Sequence, residues 1–202
     1  QQIGCSLLTL PTTDGKLTPE LIEPLLVRKG NVHATQPKVI SISQSTELGT
    51  VYSIAELKAL CEFAHKNDMY VHMDGARISN AVAALGVSLK EATVDCGVDI
   101  MSFGGTKNGI MIGEAVLIFN DDLKENAAYF QKQTAQLFSK NRFIAAQFIA
   151  LLSNNLWHEM ATHSNQMAQL LAKEVDKISD IAVKITPDNV EATGKISFLG
   201  QE

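Results

Sequence analysis

Met69-Tyr70-Val71-His72-Met73-Asp74-Gly75-Ala76-Arg77-Ile78-Ser79-Asn80 changes character in its middle. The first five residues are bulky, apolar or β-branched and suit a strand. An acidic residue and a glycine then turn the chain, and an apolar stretch from Ile78 to about Leu85 reads as a helix. A strand that ends in a polar turn and feeds a helix is the unit of an α/β sheet. The same unit recurs on either side. Upstream, Lys38 to Ser43 reads as a strand, and Ser53 caps a helix running to about Lys66, with Glu56 completing a capping box. Its buried stripe is expected to be Ile54, Leu57, Leu60, Cys61 and Ala64. Downstream, Asp99 to Phe103 reads as a strand ending in Gly104-Gly105, and Glu114 to Phe119 as another. The predicted fold class is therefore α/β with a largely parallel sheet.

Outside this frame, Leu7 to Leu10 reads as a further short strand, and Thr18-Pro19-Glu20 opens a helix with Thr as cap and Pro at the first position. After Asp121 the chain reads as helix almost throughout to about Ile178, including Asn141 to Leu152 and Leu156 to Val175. Asn120-Asp121-Asp122 and Ser153-Asn154-Asn155 supply caps and breaks. Ile181 to Ile185 reads as one more strand.

The 202 residues are 46% hydrophobic and 19% charged, enough to bury a core. A net charge of −5 argues against nucleic acid or an anionic membrane as partner. No run approaches the roughly 18 apolar residues of a membrane span. Gln1 to Cys5 shows no signal-peptide pattern and lacks an initiator Met, so a piece of a longer protein is expected. Cys5, Cys61 and Cys96 are scattered and suit a reduced, cytoplasmic protein better than a disulfide scaffold.

Ligands of open parallel sheets sit beyond the carboxyl ends of the strands. Three polar clusters fall there: Gln44 to Thr50, Asp74 to Arg77, and Gly104 to Gly109. Asp74 suits a cationic heterocyclic nitrogen and Arg77 an anionic group of the same ligand. An Asp helix cap paired with a nearby Arg is the plainer alternative. Lys107, among three glycines, suits a Schiff-base amine, with an ordinary surface charge as its alternative. His72 and Asp74 face the same way on their strand and allow a metal reading. His33, His65, His158 and His163 show no ligand-like spacing to that pair, so no metal site is expected.

Together these pieces resemble the low-specificity L-threonine aldolases, within the aspartate-aminotransferase-like fold type of pyridoxal-phosphate enzymes. Val71 to Ala81 resembles the family's Asp-Gly-Ala-Arg segment, and Ser102 to Gly113 its lysine loop. Ser43 to Tyr52 is similar to the loop before its central helix, and Gln131 to Gln133 and Ser139 to Phe143 to the helices that follow. The match runs from about Leu8 to Thr186. It implies that residues 1–178 are the central part of the cofactor-binding major domain with its following helices, and that residues 179–202 begin a small C-terminal domain.

By the same resemblance, pyridoxal 5′-phosphate is the cofactor, bonded covalently to Lys107. Asp74 would meet its ring nitrogen and Arg77 its oxygen or phosphate side, with Thr106 and Thr46 adding polar contacts. Lys132 and Arg142 would lie near the site's mouth. The implied reaction is retro-aldol cleavage of L-threonine or L-allo-threonine to glycine and acetaldehyde. A related β-eliminating amino-acid lyase, or an inactive fragment that serves in oligomerisation, are the alternatives. The family's dimers and tetramers imply self-association, here through the apolar helices after Asp121. Glu47 stands where family members often carry His, which leaves the base and the threo/erythro preference open. The family's Gly-Thr phosphate turn, its ring-stacking His and its substrate-carboxylate Arg are expected beyond this segment.

Overall fold

Ser53 and Glu56 close the expected capping box. The Ser53 hydroxyl accepts from the Glu56 N–H at 3.3 Å, and the Glu56 carboxylate accepts from the Ser53 N–H at 2.7 Å. The computed structural model describes residues 4–178 fully, and the backbone of Ile181–Val183 and Ile196–Phe198. In chain order the elements are α1 (Pro19–Ile22), β1 (Val39–Ser43), α2 (Ile54–Lys66), β2 (Tyr70–Gly75), α3 (Ile78–Leu85), β3 (Ile100–Gly104), β4 (Glu114–Ile118), α4 (Ala127–Gln133), α5 (Asn141–Leu152), α6 (Leu156–Val175), β5 (Ile181–Val183) and β6 (Ile196–Phe198). Short 3₁₀ turns lie between several of them.

β1 to β4 form a sheet in sequence order. β1, β2 and β3 are parallel, with Ser43 opposite Asp74 and Asp74 opposite Ser102. β4 returns antiparallel to β3. Only Gly105 to Gly113 separate the two strands, too short for the dozen or more residues of a parallel crossover.

The sheet's two faces differ. Ile40, Ile42, Val71, Met73, Met101 and Phe103 point into one core with Leu57, Leu60, Ile78 and Val82 of α2 and α3. The opposite face carries Val39, Ser41, His72, Asp74 and Val116, half-buried or exposed among the described residues. The Asp74 carboxylate thus stands on the less covered face.

Asp99 fixes the amino end of β3. It is 4% exposed, and its carboxylate accepts from Val71 N–H at 2.7 Å and Asn120 Nδ2 at 2.7 Å, with His65 Nε2 at 3.0 Å. One side chain therefore ties α2, β2 and the turn after β4 together. Asp99→Ala leaves those buried partners unsatisfied and is expected to lower stability by about 2–4 kcal/mol in urea unfolding. A loss within 0.5 kcal/mol, roughly the size of a surface change, would contradict this role.

Three sequence expectations change. Leu7 to Leu10 is not a strand, since it has no ladder partner among the described residues, and Leu7 and Leu8 are exposed. α1 has its Thr18 cap but stops after Ile22, and a 3₁₀ turn through Arg28 takes over across Pro24, which lacks an N–H to continue the ladder. The helical stretch after Asp121 breaks between Thr134 and Lys140, where Ala135 takes the left-handed conformation. Ile181–Val183 forms β5 and pairs antiparallel with β6, while Lys184 and Ile185 and the other residues of 179–202 lie outside the described residues. Among the described residues no helix is long and apolar enough to cross a membrane. All three cysteines are free, with Cys61 and Cys96 buried.

Candidate active site at the carboxyl edge of the sheet

β1 runs out at Ser43, and Gln44 takes over the ordering of the next loop. Its buried carboxamide donates to Tyr52 O at 2.9 Å and accepts from Tyr52 N–H at 3.0 Å, closing residues 45–51 into a ring. Gln44 N–H donates to Asp74 O at 2.9 Å, fastening this loop to the end of β2. Inside the ring, Thr50 Oγ1 donates to Asp14 O at 2.6 Å. A hydroxyl has one proton, so the 2.6 Å contact between Thr46 and Thr50 is donated by Thr46. Thr46 Oγ1 also accepts from Leu48 and Thr50 N–H groups, which fills its hydrogen-bonding capacity within the loop. Thr46 therefore shapes this edge through its hydroxyl's bonds within the loop.

β2 delivers Asp74 exposed at its end. The carboxylate accepts from Ala76 N–H at 2.9 Å, the turn contact of an acidic residue leaving a strand. Arg77, with a side chain 12% exposed, lies 3.5 Å from the exposed Glu47 carboxylate of the β1 loop. Glu47 and Arg77 thus join the first two polar clusters. His72, one step back on the same face as Asp74, has Nδ1 2.8 Å from Ser41 Oγ. Burial lowers its pKa, opposed by the charge of Asp74, so the neutral ring is favoured. No group of three or more His, Cys, Asp or Glu able to hold a metal occurs among the described residues.

β3 delivers the lysine loop. Thr106–Asn108 is a single 3₁₀ turn, with Gly109 at φ 109° behind it. Glu114, the first residue of β4, accepts from Gly105 N–H at 3.2 Å and Thr106 N–H at 3.4 Å. Thr106 Oγ1 bridges to Gly113 N–H at 3.2 Å and lies 3.3 Å from Gly113 O, so it braces the loop from within. Lys107 is exposed and makes no hydrogen bond or ion pair among the described residues. A Cβ on Gly104 would lie 2.3 Å from Ala76 O, so the lysine loop and the Asp74–Arg77 turn press backbone to backbone. The turn that carries Asp74 and Arg77 and the loop that carries Lys107 thus meet at two adjacent strand ends, here called the rim.

Lys132, in the last turn of α4, and Arg142, over the Phe143 ring at 4.8 Å, are exposed and have no hydrogen bond or ion pair to that rim. Four contributors have contacts that the sequence reading did not foresee: Gln44 and Gly104, which fall inside the predicted polar clusters, Glu114, and the buried pair of Asn80 with Asn165. Gln44 had a local signal, since a polar residue directly after a strand must satisfy its turn. The other three depend on contacts between distant segments.

Comparisons with known proteins identify the chain's relatives. The family model described as beta-eliminating lyase matches residues 2–194. The chain is 43% identical over 198 residues to a low specificity L-threonine aldolase of Pseudomonas aeruginosa, covering 98% of this chain and 56% of that one. To its counterpart from a Pseudomonas species it is 42% identical over 191 residues, 95% of this chain and 54% of the other. The structure of Leishmania major threonine aldolase superposes with a TM-score of 0.84 at 34% identity, over 93% of this chain and 54% of that chain. The chain thus spans a little over half the length of these relatives, across the sheet and the helices that build the rim. It belongs to the beta-eliminating lyase family.

Proposed function

We propose that the complete polypeptide is a pyridoxal-phosphate-dependent aldolase that cleaves L-threonine and L-allo-threonine to glycine and acetaldehyde, with Lys107 as the residue bonded to the cofactor. The observation that carries this reading is the common rim of Asp74, Arg77 and Lys107, in a chain 43% identical to a low specificity L-threonine aldolase. The donor set fits the cofactor: a carboxylate for the proton of a ring nitrogen, a guanidinium for anionic oxygens, and an unpaired primary amine for an aldehyde carbon. Bound pyridoxal phosphate supplies a sink for the electron pair left when the Cα–Cβ bond breaks. Asp74 keeps a proton on the ring nitrogen, and Arg77 orients the anionic side. Lys107 would hold the cofactor, and its amine would be the group placed to move a proton at Cα. Thr106 and Thr46 act through the loops they brace. Glu47 reaches the same edge, with its carboxylate 3.5 Å from Arg77.

In this reading residues 1–178 are the central part of a major domain with its following helices, and residues 179–202 open a small one. Self-association as a dimer or tetramer is part of the proposal. Tyr129, Phe130, Leu137, Phe138, Phe143 and Ile149 leave α4, α5 and their connection with exposed apolar surface suited to a second copy. A reduced, cytoplasmic setting is consistent with three free cysteines.

A β-eliminating reading is favoured by one observation, the description of the matching family model. The two separate in one assay on the complete protein with added pyridoxal phosphate. L-allo-threonine is expected to give acetaldehyde and glycine, while cysteine and tyrosine give no ammonia. Ammonia without acetaldehyde would replace the aldolase reading by the eliminating one.

A further inference from the structure

We propose that helix α6 is a ruler that sets the spacing between the two arms of the rim, with Asn80, Asn108 and Asn165 as positioning residues. The inference rests on the reading of Asp74 and Lys107 given above. Asn165 of α6 is 6% exposed and Asn80 of α3 is 2% exposed. Asn80 Nδ2 donates to Asn165 Oδ1 at 3.0 Å, and Asn165 Nδ2 donates to Asn80 O at 3.0 Å. Asn80 lies three residues beyond Arg77, and its N–H donates to Arg77 O at 3.0 Å. One arm is thus fastened at Asn165.

The other arm is fastened eight residues earlier on the same helix. Asn108, directly after Lys107 and 6% exposed, donates from Nδ2 to Trp157 O at 3.2 Å. A Cβ on Gly109 would fall 2.2 Å from Met160 Cε, so the loop backbone lies against α6 there. At 1.5 Å per residue the two attachments stand about 12 Å apart along the helix axis. Ala161, fully buried between them, lets α3 and the loop approach closely.

Why buried amides stand here follows from their energetics. An apolar pair of similar volume would seal the contact between α3 and α6 about as well, because replacing both partners of a buried hydrogen bond is nearly neutral. What the amides add is register. A slip of α6 by one residue, about 1.5 Å, would leave two buried carboxamides unpaired. The Asp74 arm and the Lys107 loop are consequently referred to one rigid element, although 85 residues separate Asn80 from Asn165 in sequence.

The test uses the complete protein with pyridoxal phosphate. Asn80→Leu/Asn165→Leu replaces both amides with apolar groups and keeps the packing. Its cofactor-free unfolding midpoint is expected to stay within about 3 °C of wild type, a loss of roughly 1 kcal/mol. Its apparent dissociation constant for pyridoxal phosphate, read from the bound-cofactor absorbance, is expected to rise at least about tenfold. Displacement by 1 Å at a reacting group can cost about a hundredfold. The pH midpoint of that absorbance is expected to move as well, which a purely structural contact would not cause. A folded double variant with wild-type affinity and pH midpoint overturns the ruler. Should the double variant not fold, Asn108→Ala decides. It removes one hydrogen bond to α6, and an unaltered affinity and pH midpoint there would equally overturn the proposal. Absence of any cofactor binding by the wild type is a different result, which overturns the reading of Lys107 itself.

Discussion

Lys107→Ala is expected to abolish covalent attachment of pyridoxal phosphate and to lower acetaldehyde release from L-threonine by at least about a thousandfold. The magnitude follows from removing both the covalent anchor and a proton-moving amine, each of which is ordinarily large. Stability should hardly change. Lys107 is exposed and without a partner among the described residues, and its loop is held by Glu114, Thr106 and Asn108 rather than by the lysine. A surface substitution of this kind stays within about 0.5 kcal/mol. Far-ultraviolet circular dichroism and urea unfolding check the fold, and a coupled acetaldehyde assay checks the chemistry. Lys132→Ala is the matched control, since Lys132 has no bond to the rim. Full activity in Lys107→Ala would move the amine role to another residue.

Gly104→Val carries the second large effect. The added Cβ would meet Ala76 O at 2.3 Å and Ala76 C and Cα at 2.6 Å, all backbone atoms that cannot rotate away. β2 and β3 would have to separate where the Asp74 turn and the Lys107 loop meet. Overpacking of this kind costs about 1–3 kcal/mol where neighbours can adjust, and more where the neighbour is backbone. A loss of about 3 kcal/mol or more is expected in urea unfolding, with weakened cofactor binding in whatever remains folded. Gly86→Ala is the contrast. Gly86 has φ 65° but nothing within 4 Å of a built Cβ, so only conformational strain of about 1–2 kcal/mol is added. Equal losses in the two variants would show that crowding at Ala76 is not what makes Gly104 necessary.

The sequence was most legible where the governing interactions are local. Ser53 and Glu56 lie three residues apart and close the capping box, and alternation in β1 and β2 follows from residues two apart. The convergence of the polar clusters on one edge was also legible, since parallel strands must all end on the same side. Contacts between distant segments were not. Nothing near Glu114 marks it as the acceptor for the lysine loop, and nothing near Asn80 marks its partner on α6. Thr46 shows the limit from the other side. Its position suggested a ligand contact, and its hydroxyl is engaged by Thr50, whose own proton goes to Asp14 O from a distant part of the chain. Leu7 to Leu10 has strand-like residues and no neighbour to pair with, and propensity alone does not make a ladder. The break after α4 was hidden for a similar reason: Thr134 to Lys140 contains neither Gly nor Pro, and the left-handed turn at Ala135 has no composition signal.

The central claim is that Lys107 is the amine that holds the cofactor. Borohydride reduction of the complete protein incubated with pyridoxal phosphate, followed by peptide mass mapping, tests it most directly. The expected result is one pyridoxyl group per chain, on the peptide containing Lys107. A label on a different lysine, a label spread over many lysines, or no stable label at all would contradict it.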